Sequence, residues 1–208
     1  QEAVTNLSKE GIQEGVHQVG DVMYDVTRFY RDRVKNTIDL DLWGVKEKKY
    51  ALCTIHRAEN TDDLSRLLSI LKSLREISKN LTVLLPLHPR TKKLIAGLDE
   101  KDVLQGLKVL EPIPYLQMLR LEMSAKVILT DSGGVQKEAF FHKVPCITLR
   151  DETEWVETVK LGWNQLAGSN KTKILDAFTS ISERKRIENI TPYGDGNASE
   201  DIVALIAN

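Results

Sequence analysis

Runs of strand length alternate with amphipathic stretches along this chain, and several of those runs are apolar on both faces. No other feature of the sequence restricts the fold as much. The runs are Tyr50–Ile55, Thr82–Leu87, Leu107–Leu110, Lys126–Thr130 and Val144–Leu149, with Asn164–Ala167 as a weaker sixth. A strand such as KVILT or TVLLPL has no polar side to show to water, so it belongs in a parallel sheet covered by helices on both faces. The segments Asp62–Ser78, Thr91–Gly97, Pro114–Met123, Gly134–His142 and Thr153–Leu161 have the periodicity of crossover helices. Lys171–Ser182 and Ala198–Ala207 are two more helical stretches. Repeated β-α units predict an α/β fold, a doubly wound, Rossmann-like parallel sheet with right-handed crossovers. Asp21–Asn36 reads as a helix leading into it and Thr37–Lys49 as a charged connector. Before Gly20, NLSKEGI and then VHQVGD predict a short helix, a turn and a short strand outside this sheet. The expected division is therefore 1–20, tail of a neighbouring domain and linker; 21–190, the sheet domain; and 191–208, a terminal helix that packs back toward the neighbour.

Composition narrows the classes of function. Among 208 residues, 29 Lys and Arg balance 30 Asp and Glu, for a net charge of −1, and 41% of the residues are hydrophobic. That excludes a disordered chain and argues against broad nucleic-acid binding through phosphate attraction. No apolar run approaches the length of a membrane span. The polar opening Gln1–Gly20 has no signal-peptide pattern, and a cytoplasmic location is expected. Cys53 and Cys146, the only two cysteines, lie within apolar runs, which predicts buried thiols rather than a disulfide framework. The chain begins at Gln1 without Met, and its first residues read like the middle of a sequence, so a piece of a longer protein is expected.

In open parallel sheets, ligands bind beyond the carboxyl ends of the strands. Polar residues gather at those ends here: THRAEN after the first run, HPR after the second, EPIPY after the third, TDSGG after the fourth and LRDETEW after the fifth. In TDSGGVQKEA, Asp131 or Ser132 can cap the following helix. Gly133 and Gly134 allow close backbone approach, and exposed N–H groups at a helix start favour a phosphate. Glu138, farther along that helix, can accept two hydroxyl donors of a ribose. The same residues also read simply as a capped helix on a tight turn; neither GKS/T nor GxGxxG is present.

THRAEN puts His56 beside Arg57, a donor or proton carrier next to a permanent cation suited to phosphate. Glu59 can hold either cation, or Glu59–Asp62 merely opens a helix. In LPLHPR, His88 precedes a Pro that ends the strand, and a punctuated turn is slightly favoured over a site role. In EPIPYLQML, Tyr115 and Met118 either wall an aromatic base or pack into the core. Arg150 faces an anionic ligand in this reading, whereas the acids after it suit a first helical turn. Trp43, Trp155 and Trp163 read as core or domain-interface residues. Neither a metal-ligand spacing nor a nucleophile elbow is present.

Taken in order, HRAEN, LHPR, EPIPY, TDSGGVQKEA and RDETEW resemble the non-hydrolysing UDP-N-acetylglucosamine 2-epimerases. NLSKEGI…VHQVGDVMYD and TPYGDGNASEDIV extend the resemblance over essentially the whole chain. It implies one half of a GT-B two-domain fold, the carboxyl-terminal, UDP-binding half. It also implies roles: His56 as the essential active-site histidine near the diphosphate; Ser132, Gly133 and Gly134 on the diphosphate; Glu138 on the ribose; and Tyr115 and Met118 at the uracil. Arg57 and His88 match positions linked to the cleft and to a second, regulatory UDP-sugar. Arg150 sits where a loop reaches sugar and phosphate. The implied reaction inverts C2 of the sugar by elimination and re-addition of UDP through a 2-acetamidoglucal, with the proton-moving carboxylates in the amino-terminal half. The isolated chain is then expected to bind UDP without turnover.

DETEWVE and GWNQL depart from the ETERPE pattern and are more similar to relatives acting on UDP-2,3-diacetamido uronic acids. The competing readings are a GT-B UDP-sugar glycosyltransferase domain, a nucleotide-sugar binding module and a hydrolysing epimerase. Expected partners are a UDP-sugar substrate and, in the full-length protein, a second copy of the chain. No nucleic acid, membrane, cofactor or metal is expected.

Overall fold

The computed structural model describes residues 2–97 and 102–207. Its sheet grows outward in both directions from one buried strand, β1 (Tyr50–Thr54). On one side lie β2 (Thr82–Pro86) and β3 (Lys108–Leu110); on the other lie β4 (Val127–Thr130), β5 (Cys146–Thr148) and β6 (Asn164–Leu166). The order is β3-β2-β1-β4-β5-β6, and every pair is parallel. This is the doubly wound α/β arrangement, and the order of strand addition reverses between β1 and β4, where such folds open a ligand crevice.

The two-faced apolar runs explain the layers. Successive side chains of a strand point to opposite faces. Ala51 and Cys53 of β1 face a core shared with Leu67, Ile70, Leu71, Leu74 and Ile77 of α4 (Leu64–Ser78) and Ile174 and Ala177 of α9 (Lys171–Ser180). Tyr50 and Leu52 face the other core, with Leu121 and Ala125 around the end of α6 (Tyr115–Ser124) and Ala139 of α7 (Gly133–Phe141). The Tyr50 hydroxyl reaches that layer's backbone and donates to the Leu121 carbonyl at 2.5 Å. Both cysteines are free and buried, as expected, and burial pushes the Cys146 thiol up to about 12.

α2 (Val22–Thr37), capped by the Asp21 carboxylate on the Met23 N–H at 2.8 Å, packs on α6 and α7. α10 (Ala198–Ala207) is fixed to α2 at its start, where Asp25 accepts the Ala198 and Ser199 N–H groups. Phe140, Phe141, Leu161, Trp163 and Tyr193 make a third cluster, with Met23, Tyr24 and Trp155 against it. The connector at 37–49 holds a 3₁₀ turn at Leu40–Trp43, and Trp43 and Trp163 are core residues.

Two expectations require correction, and a third is refined. The strand expected at VHQVGD does not form; α1 (Glu2–Lys9) is followed by irregular chain, and none of the six strands takes those residues as a neighbour. The helix expected over Asp62–Ser78 is α4, which starts at Leu64 because Asp63 caps it through the Ser65 and Arg66 N–H groups; a short α3 (Ala58–Thr61) precedes it. The helix expected from Thr153 is only α8 (Val156–Lys160): the Thr153 hydroxyl takes the Trp155 N–H at 3.1 Å and delays the helix. Asp151, Glu152 and Glu154 therefore precede the helix rather than forming its first turn. α5 (Pro89–Ala96) opens with proline at its first position, where the missing N–H costs nothing.

Candidate functional site

β1 and β4 run in register up to Thr54 and Thr130, whose hydroxyls meet at 2.6 Å. The two chains then diverge, and the residues beyond them line the crevice. Asp131 comes next after β4 and is fully buried. Its carboxylate accepts the His56 N–H (3.1 Å to each oxygen), the Arg57 N–H (3.0 Å) and the Asn60 side-chain amide (3.2 Å). A buried carboxylate is costly unless donors satisfy it, and here three groups do so. Asn60, itself fully buried, also donates to the Leu149 carbonyl at 2.8 Å and so ties in the end of β5. The same carboxylate lies 3.5 Å from His56 Nδ1, and the His56 side chain is 42% exposed. Asp131 thus fastens the His56–Arg57 turn to the loop leading into α7.

Ser132, not Asp131, caps α7: its Oγ accepts the Val135 N–H at 3.5 Å, and its own N–H donates to Thr130 Oγ1 at 2.9 Å. The helical ladder starts with Gln136 N–H on the Ser132 carbonyl at 3.1 Å, so the N–H groups of Gly133 and Gly134 open the helix ahead of it. The two glycines differ in what surrounds them. A Cβ on Gly133 would lie 3.1 Å from Trp155 Nε1 and 3.7 Å from both Arg57 Nη2 and Glu154 Oε2. A Cβ on Gly134 would meet only Met23 Cε at 3.7 Å and Ser132 Oγ at 3.8 Å, so the chain's own packing leaves room there. The arrangement at this helix start is an anion-binding one: free N–H groups, the positive end of the helix dipole and the Arg57 guanidinium.

Glu138 lies along the same helix, 6% exposed, against α6. Burial pushes its carboxyl up to about 7, opposed by the Tyr115 hydroxyl and the Lys137 ammonium. Glu122 of α6, 1% exposed and with Oε2 unpartnered, is held well above the usual carboxylate range by burial and by Glu138. Tyr115 is raised to about 12 by burial and by Glu138, while its ring remains 45% exposed. Met118 is partly buried and rests against the second core layer, and Tyr115 stands at the surface beside Glu138. Lys137 pairs with Asp21 at 2.6 Å and lies 4.3 Å above the Trp155 ring.

The remaining candidates sit around this centre. Arg150 is 8% exposed and saturated by chain acids: its Nη1 lies 3.0 Å from both Glu154 oxygens and its Nε 3.3 Å from Glu59. Glu59 holds Arg150 and Arg66 rather than His56 or Arg57, and Arg66 also binds Asp151 and Asn60. His88 stands one strand farther out, past β2, exposed, with its carbonyl accepting the Lys92 N–H at 3.0 Å. The structure therefore brings together His56, Arg57, Ser132, Gly133 and Gly134, with Glu138 and Tyr115 along the helix face. Sequence reasoning missed the anchoring by Asp131 and Asn60, the buried Glu122, and the Trp155 indole behind Gly133.

Among the described residues, no group of three or more His, Cys, Asp or Glu is placed to hold a metal, and no helix is long and apolar enough to cross a membrane.

The family model for UDP-N-acetylglucosamine 2-epimerase matches residues 1–207. A UDP-N-acetylglucosamine 2-epimerase homolog of Methanococcus maripaludis is 47% identical over 98% of this chain, which covers 57% of that relative. The UDP-2,3-diacetamido-2,3-dideoxy-D-glucuronate 2-epimerase of Pseudomonas aeruginosa is 42% identical over 99% of this chain and 57% of its own length. A crystal structure of the Methanocaldococcus jannaschii UDP-GlcNAc 2-epimerase with UDP-GlcNAc and UDP superposes with a TM-score of 0.87 at 39% identity, over 98% of this chain and 58% of that one. The chain thus spans little more than half the length of the proteins it matches.

Proposed function

Because the chain belongs to the UDP-N-acetylglucosamine 2-epimerase family, we propose that it is the UDP-binding half of a GT-B epimerase that inverts C2 of a UDP-N-acetylhexosamine. The observation that carries the reading is the β1–β4 crevice, where buried Asp131 fixes the His56–Arg57 turn against the glycine start of α7. In this reading the amides of Ser132, Gly133 and Gly134 and the Arg57 guanidinium hold the diphosphate. Glu138 takes the ribose hydroxyls, and Tyr115 and Met118 border the uracil. His88 and Arg150 belong to the outer rim, His88 toward a second, regulatory UDP-sugar.

In the forward half-reaction the C2 proton is removed, the C1–O bond breaks with its electron pair leaving on UDP, and C1=C2 forms in a 2-acetamidoglucal. Re-addition reforms C1–O and returns a proton to the opposite face of C2. This half of the protein faces the growing negative charge on the departing diphosphate. Oriented amides, the helix dipole and the His56 imidazole stabilise that charge more than the ground state, which is the requirement for lowering the barrier. The carboxylates that move the C2 proton belong to the amino-terminal half, so this chain alone binds UDP and does not turn over.

Residues 1–20 then serve as the tail and linker of that half, and 191–208 pack toward it. Support comes from α1, which has no buried residue, and from α10, whose Val203, Leu205 and Ile206 are exposed beyond its anchored start. In this reading the full-length protein is a cytoplasmic homodimer, and the net charge of −1 over these 208 residues supports this half working without nucleic-acid or membrane partners. For the sugar, identity to a diacetamido-glucuronate epimerase favours a 2,3-diacetamido uronic acid as the alternative to N-acetylglucosamine. Calorimetric titration with UDP, UMP, ADP and GDP tests the reading. UDP is expected to bind tightest; equal affinity for all four, or none for UDP, refutes it.

A further inference from the structure

Resting on the diphosphate reading above, we propose that Glu154 is the chain's own stand-in for the ligand's phosphates: its carboxylate occupies the anion position at the start of α7 and gives way when a diphosphate binds. Above Gly133 the structure sets three groups: the Trp155 indole, the Arg57 guanidinium and the Glu154 carboxylate, the last two each 3.7 Å from the position of a Cβ on that glycine. A helix start with free N–H groups attracts an anion, and the anion present is Glu154. Its oxygens are both 3.0 Å from Arg150 Nη1. Its own backbone N–H, then Arg150 and Arg57, hold its carboxyl below the usual carboxylate range against the opposing effect of burial, so it carries its charge at neutral pH.

The charges around this position define the exchange. Arg57 faces both the glycine turn and Glu154, and it is the group that can pass from carboxylate to phosphate. Arg150 keeps Glu59 at 3.3 Å whichever way Glu154 moves. Of the two acids that share Arg150, Glu154 and not Glu59 supplies one of the three atoms nearest the position of a Cβ on Gly133. A diphosphate arriving there meets a like charge within a few ångströms, in a place where only partial screening operates. The consequence falls on the phosphates and not on the nucleoside, so Glu154 sets how firmly the chain grips UDP relative to uridine.

The test is calorimetric titration of the 208-residue chain and its Glu154→Gln and Glu59→Gln variants with UDP, inorganic pyrophosphate and uridine. Glu154→Gln is expected to tighten UDP and pyrophosphate about three- to tenfold while leaving uridine unchanged, the size of one screened like-charge contact. Glu59→Gln is expected to leave all three unchanged. An unchanged or weaker UDP affinity in Glu154→Gln overturns the proposal. So does an equal gain in Glu59→Gln, which would mark a general effect of charge removal, or an equal gain for uridine. A wild-type chain that takes up no UDP overturns the site itself along with this role, whereas UDP uptake with an unimproved Glu154→Gln overturns this role alone.

Discussion

Replacing Asp131 by Asn keeps the shape of the side chain and removes its charge, and the surrounding donors determine the cost. One carboxylate oxygen accepts from His56, Arg57 and Asn60, and the other from His56, with the His56 ring 3.5 Å away. In the Asp131→Asn variant the remaining oxygen can still accept from His56, Arg57 and Asn60, now as a neutral acceptor, while the new NH₂ replaces the oxygen that shared the His56 N–H and faced its ring. Hydrogen bonds to a charged group contribute about 1.5–3 kcal/mol each and neutral ones about 0.5–1.5, and a buried donor without acceptor costs about 1–3. Weakening three charge-assisted bonds to neutral ones gives a destabilisation of about 2–4 kcal/mol. For a chain of this length that lowers Tm by about 5–15 °C. Urea unfolding measures the loss directly, and UDP affinity is expected to fall with it because His56 and Arg57 lose their anchor. An Asp131→Asn chain within about 0.5 kcal/mol of wild type, with unchanged UDP affinity, would refute the reasoning that this carboxylate organises the crevice.

Gly134→Ala meets no close contact in the chain and replaces a helical glycine, so stability is expected to hold or rise by up to about 1 kcal/mol while UDP affinity falls; a variant that binds UDP normally places the diphosphate elsewhere. Glu138 has its carboxyl raised to about 7, so UDP affinity is expected to rise with pH through that value as the ribose acceptor ionises, measured by calorimetry from acid to alkaline buffer; a flat profile contradicts its assignment. Stability runs in the opposite direction. The folded chain retains a proton that the unfolded chain loses near the ordinary glutamate range, so this contribution is full below that range and disappears as pH rises through about 7. Glu138→Gln should flatten that slope in thermal melts. Leu74→Ala in α4, fully buried against the sheet, is expected to cost about 2–5 kcal/mol in urea unfolding without changing UDP affinity per folded molecule.

Local pattern carries most of the fold. The strands are readable because runs such as Val127–Thr130 leave no side for water, and the crossover helices because their apolar spacing is regular. VHQVGD resembles a strand in composition alone, but a strand exists only where a neighbour accepts its ladder, and no local pattern supplies one. Thr153–Leu161 has helical spacing, yet a hydroxyl captures the Trp155 N–H and shortens the helix. The site's rim is visible as polar residues after each apolar run, whereas its fastening is not. Asp131 reaches residues 71 to 75 positions away, and Asn60 reaches Leu149 across 89. Glu122 sits in a segment that gives no sign of its pairing with Glu138. Gly133 reads as a glycine kept for a ligand, but Trp155 behind it already demands the missing Cβ; Gly134 is the one left open by the fold itself.

The most direct measurement is a UDP titration of the chain followed through its backbone amide resonances. The account predicts that the largest shifts fall on Gly133 and Gly134 at the start of α7 and on His56 and Arg57 opposite, with smaller ones at Glu138. Shifts gathered on another face, such as the groove where α2 meets α10, or no shifts at saturating UDP, would contradict it.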